Sequence, residues 1–382
     1  MSVFKSRTAS KAAKRVRAFF SRDAGLTPRV TPGERLRRLV GSKNGKLDRA
    51  RNVAQASGSS QESTPVFFIV GHQKSGTTWL MKMLDSHPEI LCQGEGRPFG
   101  RNWRQEQLKK RRASYPPTSL YNAIASSEDL RYWVERSVWS RRDDADQHLA
   151  NLTRLAIEYF LTQQLQKTGK KLVGDKTVLH DPEIVEEIAT IFPGAKVIHI
   201  IRDGRDVAVS QTHHKWNQAE DQGGSGKINP DQLAKRETYR RDPRSLLETG
   251  EGIFPDEWLT NHAAQWNAKV SKTVEDGPAL LGANYEEIRY EDLLERPEEE
   301  MKRLLEFLGA DASERTVRRC VDAASFEKLA EGRERGQEAA SFFRKGIAGD
   351  WKNVFTEQDK RDFKAVAGNL LVALGYEEDD DW

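Results

Sequence analysis

Along the chain, short apolar runs alternate with amphipathic stretches of helical spacing. Pro65 to Val70 is a run fit for a buried strand, and Thr77 to Ser86 then places Trp79, Leu80, Met83 and Leu84 at helical spacing. A second pair begins with a short strand at Lys171 to Gly174 and continues into a helix-like segment from Pro182 to Phe192. The third is the clearest. Lys196 to Ile201 (KVIHII) is strongly strand-forming, and Arg202 to His213 carries Val207 and Ala208 into a helix. Asn284 to Tyr290 supplies another strand, followed by a helix from Pro297 to Leu308, where the fixed φ of proline suits the first turn. Repeated strand and helix of this kind predict a three-layer α/β fold, a central mostly parallel sheet with helices on both faces. Ligands of such sheets sit beyond the carboxyl ends of the strands.

Two regions break the pattern. Residues 97–145 carry Trp103, Tyr115, Tyr121, Trp133, Trp139 and many arginines, with Pro116 and Pro117 between helical patches. Residues 217–256 are polar and Gly-rich, longer than a compact domain tolerates as plain loop. Both are expected to be insertions, read as substrate-covering lids, with a disordered insertion as the alternative for the second. Ahead of the domain, residues 1–63 read as a flexible basic tail and linker, and 64–382 as the catalytic domain. The tail bears Lys5, Arg7, Lys11, Lys14, Arg15, Arg17 and Arg22 before its first acid. Ala12, Ala13, Val16, Phe19 and Phe20 follow helical spacing, so a short amphipathic helix on an anionic membrane is one expectation, a solvated tail the other.

Composition narrows the classes. With 382 residues and 37% hydrophobic content the chain can bury a sizeable core. Net charge is +3 with acids and bases nearly balanced, which gives no argument for nucleic acid as a partner. Cys92 and Cys320 stand far apart, supporting neither a disulfide framework nor a zinc site. No run reaches the length of a membrane span and no signal peptide is visible, so a cytoplasmic protein, peripheral to a membrane through its tail, is the expectation.

The chemistry concentrates in GHQKSGTTW, residues 71–79. Gly71 and Gly76 keep the spacing of a nucleotide triphosphatase phosphate loop, but Thr77 stands where that loop has its lysine, and Lys74 lies two residues ahead of Gly76. Backbone N–H groups and a helix start still form a nest for phosphate oxygens. The hydroxyls of Ser75, Thr77 and Thr78 add donors. This loop closely resembles the 5'-phosphosulfate loop of the sulfotransferases that use 3'-phosphoadenosine 5'-phosphosulfate (PAPS), with His72 and Gln73 where that family often has tyrosine and proline. RDGRDVAVSQTH, from Arg202 to His213, is similar to the family's 3'-phosphate motif, with Arg202 and Ser210 at its two positions. RKGIAGDWKNVFT resembles the family's last cofactor segment and implies a clamp on the same phosphate by Arg344, Lys345 and Gly346. By resemblance Trp79, Tyr290 and Phe326 line adenine, although Ala324 replaces a threonine beside Phe326 and puts one polar contact in doubt. The implied fold is the P-loop-like sulfotransferase fold, the co-substrate PAPS, the product adenosine 3',5'-bisphosphate (PAP), and no metal need be invoked.

The resemblance also implies a mechanism of in-line sulfuryl transfer. Lys74 is placed for the leaving phosphate, and Lys176 in GDKTVLH resembles the lysine that steadies the sulfonate. Two bases are on offer for the acceptor proton. His180 lies four residues after Lys176, whereas small-molecule enzymes of the family place histidine two after theirs. Glu95 follows the first helix where carbohydrate sulfotransferases carry a catalytic glutamate, and it is the favoured base. His199 reads as a satisfied core residue, and His213 and His214 as the end of a helix. The competing functions are a P-loop kinase-like nucleotide enzyme, which lacks its lysine next to Gly76, and a catalytically silent PAPS-binding protein. The acceptor, small-molecule, carbohydrate or lipid-linked, and the oligomeric state stay open.

Overall fold

The computed structural model describes residues 65–100, 118–140, 144–221, 228–255, 257–337, 343–379 and 381–382. The basic tail and linker expected at 1–63 lie outside the described residues. The strands are β1 (Val66–Gly71), β2 (Ile90–Gly94), β3 (Leu172–Val178), β4 (Lys196–Ile201) and β5 (Tyr285–Arg289). They form one sheet in the order β2-β3-β1-β4-β5, every pair parallel. Between and after them run helices α1 (Thr77–Asp85), α2 (Leu120–Ala125), α3 (Glu128–Arg136), α4 (Ala145–Thr168), α5 (Ile184–Ile191), α6 (Gly204–Asp221), α7 (Pro230–Arg241), α8 (Ser245–Thr249) and α9 (Trp258–Leu281). The series ends with α10 (Tyr290–Glu295), α11 (Pro297–Leu308), α12 (Glu314–Ala323), α13 (Phe326–Leu329) and α14 (Glu357–Ala373).

The alternation of β1 explains the layers. Phe67 and Ile69 pack on one face with Leu80, Met83 and Leu84 of α1 and with Leu304 and Leu305 of α11. Phe68 and Val70 pack on the other with Ile184 and Ile188 of α5 and with Phe192. Each of these side chains contributes about 1.5–3 kcal/mol by leaving water, which is why a strand so apolar is confined to the centre of a doubly covered sheet. A third cluster joins α6, α9 and α14 through Val209, Trp216, Trp266, Val270, Phe363 and Leu371.

Local signals set several boundaries. Pro297 opens α11 with Glu298, Glu299 and Glu300 in its first turn, where carboxylates oppose the positive helix end. Thr356 and Asp359 cap α14 reciprocally. No described helix is long and apolar enough to cross a membrane.

The structure corrects several expectations. Strand β2 was not foreseen at all, and β3 extends to Val178, so Lys176 lies inside the strand. Helix α6 runs on to Asp221, leaving His213 and His214 within it. His213 is buried against Trp216 and Tyr239, which explains why the helix continues past a polar-looking sequence. The described parts of the two irregular regions contain short helices, α2 and α3 in one and α7 and α8 in the other, joined by coil. Tyr121 is buried, whereas Trp133 and Trp139 are exposed, and Trp103 and Tyr115 lie outside the described residues.

Candidate active site

The carboxyl ends of the strands bring the separated motifs to one edge of the sheet. The loop after β1 turns through Lys74 (φ 69°) and Gly76 (φ 93°) before α1 begins. Gly76 is required twice, because its backbone is left-handed and a Cβ there would sit 2.6 Å from the ring of Tyr290. No side chain caps the start of α1, so its first N–H groups face the loop. Ser75 Oγ is buried without a hydrogen-bond partner. Burial, then the charges of Arg202 and Lys176, lower the Lys74 pKa to about 8.

Arg202 directly follows β4 beside this loop. Its guanidinium donates to Lys74 O and to Ile347 O, each at 3.1 Å, and stacks 4.3 Å from the Tyr290 ring centroid. Its Nε is buried without a partner. Asp206, four residues on, accepts the backbone N–H groups of Gly349 (2.7 Å) and Trp351 (3.0 Å) and thereby pins the RKG segment to α6. Within that segment Asp350 pairs with Arg344 and, at 3.0 Å, with Lys345. Burial would raise the Asp350 pKa, but Arg344 and Lys345 together hold it down at about 2.

Trp79, Tyr290 and Phe326 form the apolar part. The Trp79 and Tyr290 rings meet edge to face at 5.6 Å. Trp79 Nε1 donates to Ala324 O at 2.8 Å, which fixes the indole in place. One cleft is lined by Lys74, Gly76, Thr77, Thr78, Trp79, Arg202, Ser210, Tyr290, Phe326, Arg344, Lys345 and Gly346. Of the residues read as cofactor contacts, Ser75 is the one outside that lining. Arg335, Phe343 and Ile347 also line the cleft and were missed. The available signal for Arg335 was the stretch GRERG just ahead of the RKG segment.

The remaining candidates gather next to the cleft. Lys176 is buried, and its Nζ donates to Glu95 Oε1 at 2.6 Å and to Thr78 Oγ1 at 3.3 Å. Thr78 therefore joins this corner to the cleft. Gly94 permits the arrangement, since a Cβ there would lie 2.7 Å from Lys176 Cβ. The segment after it is held by Gly96 N–H donating to the buried Asp175 at 2.9 Å. Glu95, its side chain 33% exposed, has its pKa raised by burial but lowered on balance by Lys176, with smaller pulls from His180 and Arg97. His180 lies beyond β3, half-buried. His199 is buried and neutral, its pKa lowered to about 3 by burial, and its Nδ1 meets the Tyr285 hydroxyl at 2.8 Å while Nε2 has no partner.

Comparison with known proteins identifies the family of the domain. The model of the sulfotransferase domain family matches residues 64–375. Rat sulfotransferase 1A1 is 30% identical over 191 residues, 47% of this chain and 57% of that protein. Bovine sulfotransferase 1A1 is 31% identical over 183 residues, 44% of this chain and 52% of that protein. The chain thus spans about half the length of the curated relatives it matches. Among solved structures, mouse sulfotransferase SULT7A1 complexed with PAP gives a TM-score of 0.44 at 16% identity, covering 81% of this chain and 85% of that one. With the family model spanning the sheet, the loop and the RKG segment alike, the chain belongs to the sulfotransferase domain family.

Proposed function

We propose that the protein transfers the sulfuryl group of PAPS to a hydroxyl or amine of an acceptor. The observation that carries this reading is the single cleft in which three motifs, far apart in sequence, converge with their cations and aromatic rings. PAPS supplies an activated sulfuryl group on a phosphate leaving group. The loop N–H groups, Lys74 and the Ser75 hydroxyl hold the 5'-phosphosulfate, and the unpartnered Ser75 Oγ fits that use. Arg202, Ser210, Arg344, Lys345 and Gly346 receive the 3'-phosphate, for which a guanidinium fork is well shaped. Trp79, Tyr290 and Phe326 enclose the adenine.

Lys176 neutralises charge that develops on the sulfonate oxygens, the kind of term that matters most in group transfer of this type. Glu95 takes the acceptor proton. Its pKa is held down by the lysine, so a turn of Lys176 toward the sulfonate removes the counter-charge and makes the carboxylate a stronger base when it is needed. His180, whose charge lowers the Glu95 pKa, is the alternative base.

The acceptor in this reading is a carbohydrate or glycolipid. Support comes from the exposed rings of Tyr132, Trp133 and Trp139, on which a sugar face can stack. Peripheral membrane contact through the basic tail belongs to the same proposal. The test is transfer from radiolabelled PAPS to a panel of oligosaccharides, glycolipids and phenols. Labelled glycan that disappears with Lys176→Ala is the expected result. Tight PAPS binding with no transfer and no PAP release would instead make this a catalytically silent binding protein.

A further inference from the structure

The turn at 331–337 enters the cleft from a side that none of the family motifs marks. It takes up the backbone carbonyls of the RKG segment one after another. Arg333 donates to Phe343 O (2.7 Å) and Arg344 O (3.0 Å), Gly336 N–H to Lys345 O (2.8 Å), and Arg335 to Gly346 O (2.7 Å). Arg333 is thereby a brace behind the segment. Arg335 reaches further, onto the aromatic part of the cleft, with its guanidinium carbon 5.3 Å from the Trp79 ring centroid and 5.1 Å from that of Phe326.

This is unusual company for a surface arginine. Among the described residues Arg335 has no carboxylate partner, and its one hydrogen bond goes to Gly346 O. The two other guanidiniums of the cleft both have a carboxylate, Arg202 meeting Asp206 at 3.7 Å besides two carbonyls and the Tyr290 ring, and Arg344 pairing with Asp350. A guanidinium plane that stacks on indole and phenyl stacks equally well on a purine, and its unused donors lie in that plane.

We propose that Arg335 is a specificity-determining residue of the cofactor cleft, stacking on the purine beside Trp79 and Phe326. Its bond to Gly346 O ties base binding to the placement of the 3'-phosphate segment. The inference rests on the PAPS reading above and adds a contact which that reading lacks.

The experiment titrates the full chain with two probes, adenosine 3',5'-bisphosphate and its abasic analogue with hydrogen in place of the base. Arg335→Ala and Arg335→Lys are compared with wild type, lysine keeping the charge without the stacking plane, and circular dichroism checks that each is folded. Both variants should weaken the adenosine probe about tenfold while the abasic probe changes less than about twofold. Equal loss on both probes would assign Arg335 to the phosphates, and no loss would make it a bystander; either result overturns the proposal. Wild type that binds neither probe would overturn the PAPS reading itself, and this is seen before any substitution is made.

Discussion

The cofactor cleft and the Glu95 corner are built on opposite plans. In the cleft, the cations are fixed by backbone carbonyls and a buried carboxylate. Arg202 is held between Lys74 O and Ile347 O, and Arg344 and Lys345 share Asp350, which lies almost wholly buried. In the corner, a buried lysine holds a carboxylate that remains a third exposed, through one short ion pair. The first arrangement is suited to binding, because fixed charges need no reorganisation when a polyanion arrives. The second is suited to proton and charge movement, because the pair can be exchanged.

The largest effect should come from breaking the exchangeable pair. Glu95→Gln is expected to lower turnover about a thousandfold, the range of a general base, while PAP affinity stays within about twofold. If Glu95→Gln keeps full turnover and His180→Ala abolishes it, the histidine is the base and the corner has been misassigned. Next comes Arg202→Ala, which removes a charged fork and leaves two buried carbonyls without donors. It should weaken PAP binding about a hundredfold by calorimetry.

Asp350→Asn tests whether the cleft cations are held by their counter-charge. The folded pKa of about 2 lies below the ordinary 3.8, so the carboxylate adds stability above pH 3.8 and loses it as pH falls toward 2. That contribution is about 2 kcal/mol, so denaturation curves of wild type and Asp350→Asn should differ by about that much at neutral pH and converge in acid. The smallest effect concerns Lys74. With its pKa near 8, the free protein is partly deprotonated in mild alkali, and an arriving anion favours the charged form. PAP binding should therefore take up a proton at pH 8–9 and weaken by up to about tenfold per pH unit above that.

The motifs that converge on the proposed cofactor cleft were legible in the sequence because each is local. GHQKSGTTW joins a strand to a helix in one stretch, and Arg202 with Ser210 spans one strand end and one helix, so short-range spacing carries the geometry. The Glu95 corner was legible only as a choice between bases. What decides its shape is β2, whose Ile90, Leu91 and Cys92 are too short an apolar run to announce a strand, and which gains its place by pairing with β3. That pairing puts Gly94 opposite Lys176, a long-range fact that no periodicity contains. The length of α6 was missed for a related reason. His213 reads as polar but is buried in a contact with Tyr239 of α7 that only the tertiary fold creates. Arg335 escaped notice because it reaches the cleft through Trp79, which comes from a distant segment, and through a turn that brings it back over Phe326.

The central claim is that the cleft reads a nucleotide with a 3'-phosphate. Calorimetric titration of the full chain with adenosine 3',5'-bisphosphate, with ATP as the comparison, tests it most directly. The account predicts that the bisphosphate binds at least about a hundredfold tighter, since ATP offers nothing to Arg202, Arg344 and Lys345 at the 3' position. Equal or tighter binding of ATP, or binding of neither, would contradict it.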